Sequence, residues 1–239
     1  VSTATTRAVQ TGSAGAGTGT IGGVCAELPV DPPVDLVVPV KHLDRAKSRL
    51  RGAAPGGAAG HRDLVLAVVR DTVAAAVAAV RAVLVVCEDA RVVEALRGSG
   101  AECVDQPGLP GLNAALAFGA DRLRARDPAS VVGALQADLP ALVPAQLRAA
   151  VAEAAGRRAF TPDRPGTGTV LLLSAAGGGL DPRFGPGSAA AHGADAIAVG
   201  LGSAALRCDV DTAADLAVAA ALGLGAHTAH RVRAAGRVG

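Results

Sequence analysis

The sequence predicts a single α/β domain of three layers, built on a mainly parallel sheet with one antiparallel excursion late in the chain. Three observations predict it. From Val34 onward, short runs rich in Val and Leu alternate with longer stretches of helical period, the pattern of strands buried on both faces by crossover helices. The alternation breaks between residues 158 and 174, where two strand-like runs flank a Pro/Gly turn with no helix between them. The length, 239 residues, suits one domain of roughly 200 residues plus a tail.

The elements follow in order. Residues 11–23 (TGSAGAGTGTIGG) are Gly, Ser, Thr and Ala-rich and hold too little apolar surface to offset the entropy of ordering. Residues 1–32 are therefore expected to form a disordered N-terminal extension, and residues 33–239 the folded domain. The extension lacks the charged start and continuous apolar stretch of a secretory signal, and Val1 reads as a GTG start codon rendered literally. Residues 34–40 (VDLVVPV) make the first strand. In residues 61–80, Leu64, Val65, Val68, Val69, Val73, Val77 and Val80 recur at helical spacing. Residues 81–87 read as a buried strand, 89–97 as a short helix stopped by Gly98, and 101–104 as a third strand. A Pro/Gly loop over 105–111 leads to a helix over 112–126, then to a fourth strand over 130–136. The next helix, 144–155, opens with proline in its first turn, where the missing amide costs nothing. Residues 158–161 and 169–174 form the excursion, a glycine run (177–179) follows, and a short helix starts at Ser188. The last strand is expected at 204–208. The final helix, 212–222, opens with Thr212-x-x-Asp215, a capping-box-like start.

Composition excludes several functions. Half the residues are apolar, nearly all of them Ala, Val and Leu, with three Phe and no Trp, Tyr or Met. A platform of aromatic rings for stacking bases is out of reach, and a net charge of +2 is too small for a nucleic-acid footprint. Cys25, Cys87, Cys103 and Cys208 are scattered, without C-x-x-C or zinc spacing, as in reduced, cytoplasmic proteins. No apolar run reaches the length of a membrane span, because Arg70, Asp71 and Arg81 interrupt the longest region.

Of 23 Lys and Arg residues only two are lysine, Lys41 and Lys47, and both lie in the loop KHLDRAKSRL that follows the first strand. So arginine-rich a composition retains lysine mainly where a compact ammonium does what a planar guanidinium cannot. The carboxyl end of a strand in an open α/β sheet is also where phosphate-bearing ligands bind; the competing reading is a solvated loop. Asp138 sits where the fourth strand ends, and a carboxylate buried there is costly unless paired or holding a cation. Asp209 and Asp211 close the expected last strand. Two carboxylates from two strand ends make an oxygen site of the kind magnesium takes when it also holds phosphate. Asp211 adjoins the N-cap Thr212 and reads equally as an answer to the helix dipole, so Asp209 is the better ligand candidate.

Two turns complete the pattern. Gly166-Thr167-Gly168-Thr169 offers close backbone approach, hydroxyls and amides to an anion, although a plain hairpin turn reads as well. Arg183-Phe184-Gly185-Pro186-Gly187-Ser188 feeds the short helix, whose free amides suit a phosphate or carboxylate. His192, at the end of that helix, reads as catalytic or, more ordinarily, as a surface or capping residue. There is no G-x-x-x-x-G-K-[ST] loop, and the glycine-rich stretch precedes the first strand, the wrong place for a dinucleotide fingerprint. H-E-x-x-H and G-x-S-x-G are absent too.

These residues carry a resemblance. VPVKHLDRAKSRL (38–50), GLNAAL (111–116), LQADLPAL (135–142), DRPGTGT (163–169), PRFGPGS (182–188) and LRCDVDTAADL (206–216) together resemble the guanylyltransferases of coenzyme F-420 biosynthesis, over residues 34 to about 225. These are nucleotidyltransferases with a glycosyltransferase-A-like fold. The resemblance implies that GTP condenses with phosphoenolpyruvate or 2-phospho-L-lactate and releases pyrophosphate. It implies magnesium on Asp138 and Asp209. Thr169, Gly185 and Ser188 would take the acceptor, Lys41, Lys47 and Arg49 the triphosphate, and Asn113 the nucleotide side. Gly187 and the 177–179 glycine run depart from the family pattern. The resemblance also admits a homodimer and the hand-over of an unstable product to the next enzyme. Two other readings stay open: a molybdenum-cofactor or sugar-nucleotide transferase of the same fold, and a non-catalytic nucleotide-binding scaffold.

Overall fold

A computed structural model describes Val1 and residues 33–51, 56–105, 108 and 110–235; the extension expected to be disordered lies almost wholly outside them. The apolar runs pair as strands β1 (Val34–Val40), β2 (Ala82–Cys87), β3 (Glu102–Val104), β4 (Val131–Leu135), β5 (Ala159–Pro162), β6 (Thr169–Leu173) and β7 (Ile197–Ala198), in the order β3-β2-β1-β4-β6-β5-β7. All pairs are parallel except those of β6, which runs antiparallel to both β4 and β5. The excursion is thus one reversed strand inside the sheet. The helices are α1 (Gly57–Val77), α2 (Ala90–Ala95), α3 (Gly111–Arg126), α4 (Pro144–Ala154), α5 (Ser188–Gly193), α6 (Ala213–Leu222) and α7 (Ala226–Ala235).

Successive strand residues face opposite sides, and this divides the core into two slabs. Leu36 and Val38 of β1 pack with Val65, Val69 and Val73 of α1 and with Leu147 and Val151 of α4. Val37, Leu84 and Val132 face the other way, beneath Leu116, Ala120 and Leu123 of α3. With almost no aromatic residue to fill space, the third layer must come close. A Cβ on Gly119 of α3 would meet the Val37 and Val86 side chains at 2.5 and 3.0 Å, so only glycine lets the helix lie this near the sheet.

Three expectations are corrected. Residues 204–208 are no strand: Gly200 and Ser203 carbonyls accept turn bonds from Ser203 and Arg207 amides, and the Ala205 and Leu206 amides donate to the side chain of Gln146. These backbone groups are spent on turns and on α4, so the closing strand is the two-residue β7. The first helix runs over Gly57–Val77 instead of 61–80, since residues 78–80 turn back and the Arg81 amide already bonds to Val34. Helix α7 was unforeseen because its sequence, AHTAHRVRAA, is largely polar with a single large apolar residue, Val232. It is held instead by the buried Asp71 of α1, which accepts from the His227 and Thr228 amides.

Candidate active site

The lysine loop leaves β1 at the carboxyl edge of the sheet and is fastened before it reaches its second lysine. The buried Asp89 accepts from the Leu43 amide at 3.0 Å and from the Arg91 guanidinium, which holds its carboxyl well below the usual range. Arg62 and Arg91 both grip Asp44, and His61 bonds the Ala46 carbonyl at 3.0 Å. Lys47 itself sits in the left-handed region at φ 50°, an uncommon conformation for a side chain-bearing residue. Its ammonium reaches inward to Asp138 and, at 2.5 Å, to Asp211. Burial works against the charge, but the Asp138 carboxylate and both hydrogen bonds outweigh it and raise the Lys47 pKa. Lys41 and Arg49 are exposed nearby.

Asp138 stands just beyond β4. The buried Thr72 hydroxyl of α1 accepts from the Leu139 amide at 2.9 Å, and the Val210 amide donates to the Asp138 carbonyl at 3.0 Å. That one backbone bond carries Asp209 and Asp211 to the site from a loop, not from a strand end. Among the described residues Asp138 Oδ1 is buried without a partner. Burial pushes the Asp209 carboxyl up to about 7, and Asp138 adds to this against the pull of Lys47. The capping box at Thr212 and Asp215 is present as expected.

On the other side of these carboxylates lie the two turns. In 166–169 the Thr167 and Gly168 amides are already bound by Asp163, and the first amides of α5, of Ser188 and Ala189, go to the Gly185 and Thr167 carbonyls. Four of the amides expected to meet an anion are therefore spent on shaping the turns. Hydroxyls remain: Ser188 is 2% exposed, and among the described residues its hydroxyl makes no hydrogen bond. Thr169 Oγ1 meets His192 Nδ1 at 2.9 Å. Gly185 and Gly187, at φ 141° and 73°, turn the chain so that Ser188 faces the cavity. The Asn113 amide both donates to the Phe184 carbonyl and accepts from the Phe184 amide. It is a strut of the Phe184 turn.

Two cavities adjoin. One, of about 510 Å³, is walled by Thr169, Gly185, Ser188 and Asp209. The other, of about 310 Å³, lies against Lys41, Val40 and Val68. Lys47, Arg49, Asp138 and Asp211 line both, so the ion-paired cluster divides a polar chamber from a more apolar one.

The model of the family "Guanylyl transferase CofC like" matches residues 34–236. The chain belongs to this family. This guanylyl transferase is 49% identical over 200 residues to a phosphoenolpyruvate guanylyltransferase of Salinispora arenicola, covering 81% of this chain and 91% of the other. It is 52% identical over 200 residues to the Streptomyces coelicolor protein of the same name, covering 81% and 93%. A nucleotidyl transferase from Methanothermobacter shares the fold at a TM-score of 0.52 and 17% identity, over 80% of this chain and 98% of that one. The enzyme is thus a nucleotidyltransferase, which removes the reading as a non-catalytic scaffold.

Nucleotidyltransferases of this kind generally use a divalent metal. Two carboxylates, Asp138 and Asp209, could hold one. Among the described residues one Asp138 oxygen is buried with no partner, and burial together with the Asp138 charge pushes the Asp209 carboxyl up. Among the described residues no group of three or more His, Cys, Asp or Glu could hold a metal ion. The sequence ranked Asp211 below Asp209 as a ligand and favoured a surface or capping role for His192, which is instead fully buried. The alternation Asp209-x-Asp211 was the available signal for the first; nothing local announces that His192 is fully buried. Among the described residues no helix is long and apolar enough to cross a membrane.

Proposed function

We propose that the enzyme transfers guanylyl from GTP to phosphoenolpyruvate, forming a diphospho-guanosine adduct and pyrophosphate, in the biosynthesis of coenzyme F-420. The observation that carries this is the pair of chambers meeting at one cluster of charge, Lys47, Asp138 and Asp211. A reaction between two anionic substrates needs them side by side, with their charge offset where they meet. The relatives named for phosphoenolpyruvate favour that acceptor over 2-phospho-L-lactate.

In this reading the acceptor lies in the polar chamber, its phosphate and carboxylate met by Ser188, Thr169 and the backbone at Gly185. The nucleotide occupies the apolar chamber, with Lys41, Lys47 and Arg49 against its triphosphate. An acceptor phosphate oxygen attacks the α-phosphorus. The new P–O bond forms as the bond from the α-phosphorus to the bridging oxygen breaks, and that oxygen's electron pair leaves with pyrophosphate. No protein nucleophile is needed, because the acceptor is already an oxyanion. Asp138 and Asp209 would hold magnesium, which supplies charge neutralisation to the phosphates. Lys47 hands its ammonium from the carboxylates to the phosphates as they arrive.

Pyrophosphate release tests the proposal. It should require both GTP and phosphoenolpyruvate and fall sharply with CTP or ATP. Release that proceeds equally with 2-phospho-L-lactate would widen the acceptor class, and release with neither acid would overturn the reading.

A further inference from the structure

We propose that His192 is a positioning residue: it fixes the Thr169 hydroxyl as a hydrogen-bond donor aimed at the acceptor's anionic oxygens. The inference rests on the acceptor site proposed above and assigns a direction to one of its hydrogen bonds.

The Arg183 backbone N–H points at His192 Nε2 at 2.9 Å. An amide can only donate, so Nε2 must be the unprotonated, accepting nitrogen. The ring proton of the neutral imidazole is then on Nδ1, which faces Thr169 Oγ1 at 2.9 Å. Nδ1–H donates and the threonine oxygen accepts. Among the described residues Oγ1 has no other partner, and Thr169 lines the polar chamber. Its proton is left to be given to whatever lies there, and an oxyanion is the group that takes it.

The ring is held for this. His192 is fully buried, set edge-on to Phe184 with centroids 5.1 Å apart and tilted against Phe160 at 6.4 Å. Phe184 is itself gripped by both ends of the Asn113 amide. The charged groups around the ring are Arg158, Arg183 and Asp195. Burial pulls the imidazole down to about 4, and both guanidiniums push the same way against Asp195, so the neutral ring that the geometry requires is the form present at neutral pH. An imidazolium could not accept from Arg183, and the opposite tautomer would set two N–H groups against each other. Threonine and histidine sit 23 residues apart, on β6 and α5, which hides the pair from the sequence.

Two measurements test it. In the full-length, uniformly ¹⁵N-labelled wild-type chain, long-range ¹H–¹⁵N spectra should report the Nδ1–H tautomer for His192; the Nε2–H tautomer would overturn the proposal, whatever the variants do. In steady-state assays, His192→Gln should raise the KM for phosphoenolpyruvate by about tenfold or more, the loss of one hydrogen bond to a charged group, with the KM for GTP little changed. His192→Asn, whose amide nitrogen reaches the Nδ1 position, should recover much of the loss. Thr169→Val should show the same acceptor defect, and combining it with His192→Gln should add little, because the two act through one hydroxyl. Equal effects on both substrates, equal behaviour of the Asn and Gln variants, or additive losses would each overturn the positioning role. A Thr169→Val enzyme with an unaltered acceptor KM would instead sink the acceptor site itself.

Discussion

At the scale of single residues, the cluster of Lys47, Asp138 and Asp211 makes opposite demands on stability and on turnover. Asp138 raises the neighbouring Asp209 and leaves one of its own oxygens without a partner. Replacing it relieves both, while Lys47 keeps Asp211. Asp138→Ala should therefore abolish pyrophosphate release yet leave the thermal midpoint unchanged or raised, as when a site built for a ligand is removed. A variant that unfolds, with metal dependence intact in its residual activity, would make Asp138 structural. Lys47 is the reverse case. Lys47→Ala should cut turnover by about 10²–10³-fold, the range for losing one preorganised electrostatic contact. Lys47→Arg should rescue only in part, since a planar head cannot bridge the two carboxylates at the same point. Near-full turnover in both variants would reduce the two lysines to chance survivors of an arginine-rich composition.

At the scale of elements, the local signals written in the sequence are the ones that can be removed one at a time. Helix α6 is started by a reciprocal box in which Thr212 Oγ1 accepts from the Asp215 amide and Asp215 accepts from the Thr212 amide at 2.9 Å. Thr212→Ala should cost about 0.5–2 kcal/mol in urea unfolding. It should also weaken turnover beyond the stability loss, because Asp211 is the preceding residue. Helix α3 carries the other test. Gly119→Val would drive methyl groups into Val37 and Val86, and overpacking of this kind costs roughly 1–3 kcal/mol. Unfolding free energies within error of wild type would mean that α3 can lift off the sheet freely. The elements legible from the sequence were those whose reason is local: periodicity in α1, proline at the start of α4, the capping box of α6. Residues 204–208 looked like a strand by composition, but their amides went to turns and to Gln146. Helix α7 is organised by Asp71, about 150 positions earlier in the chain, and no window of sequence contains both partners.

At the scale of the whole molecule, the buried His192 ties the stability of the fold to pH. Its folded pKa lies near 4, below the ordinary value of about 6.5, so between these limits the unfolded chain binds a proton that the folded chain refuses. Stability from this residue is complete above about pH 6.5 and is lost as pH falls toward 4. His192→Asn should flatten the dependence of the unfolding midpoint on pH across that window. An unaltered slope would assign the acid sensitivity to other groups.

The α/β class, the parallel strands around β1 and the residue types of the candidate site can all be read from the chain before it folds. Strands buried on both faces must be continuously apolar, and phosphate chemistry calls for lysine, aspartate and hydroxyls at strand ends and turns. Only the tertiary structure decided how those residues are used. It turned the amides of Thr167, Gly168, Ser188 and Ala189 inward to shape their own turns, tied Asn113 to Phe184, and brought Asp211 to Lys47. It also joined His192 to Thr169. Each of these is a partnership between groups distant in the chain, and a hydrogen-bonding group's partner is fixed by the packing of the sheet and its two helical layers, not by its neighbours in sequence.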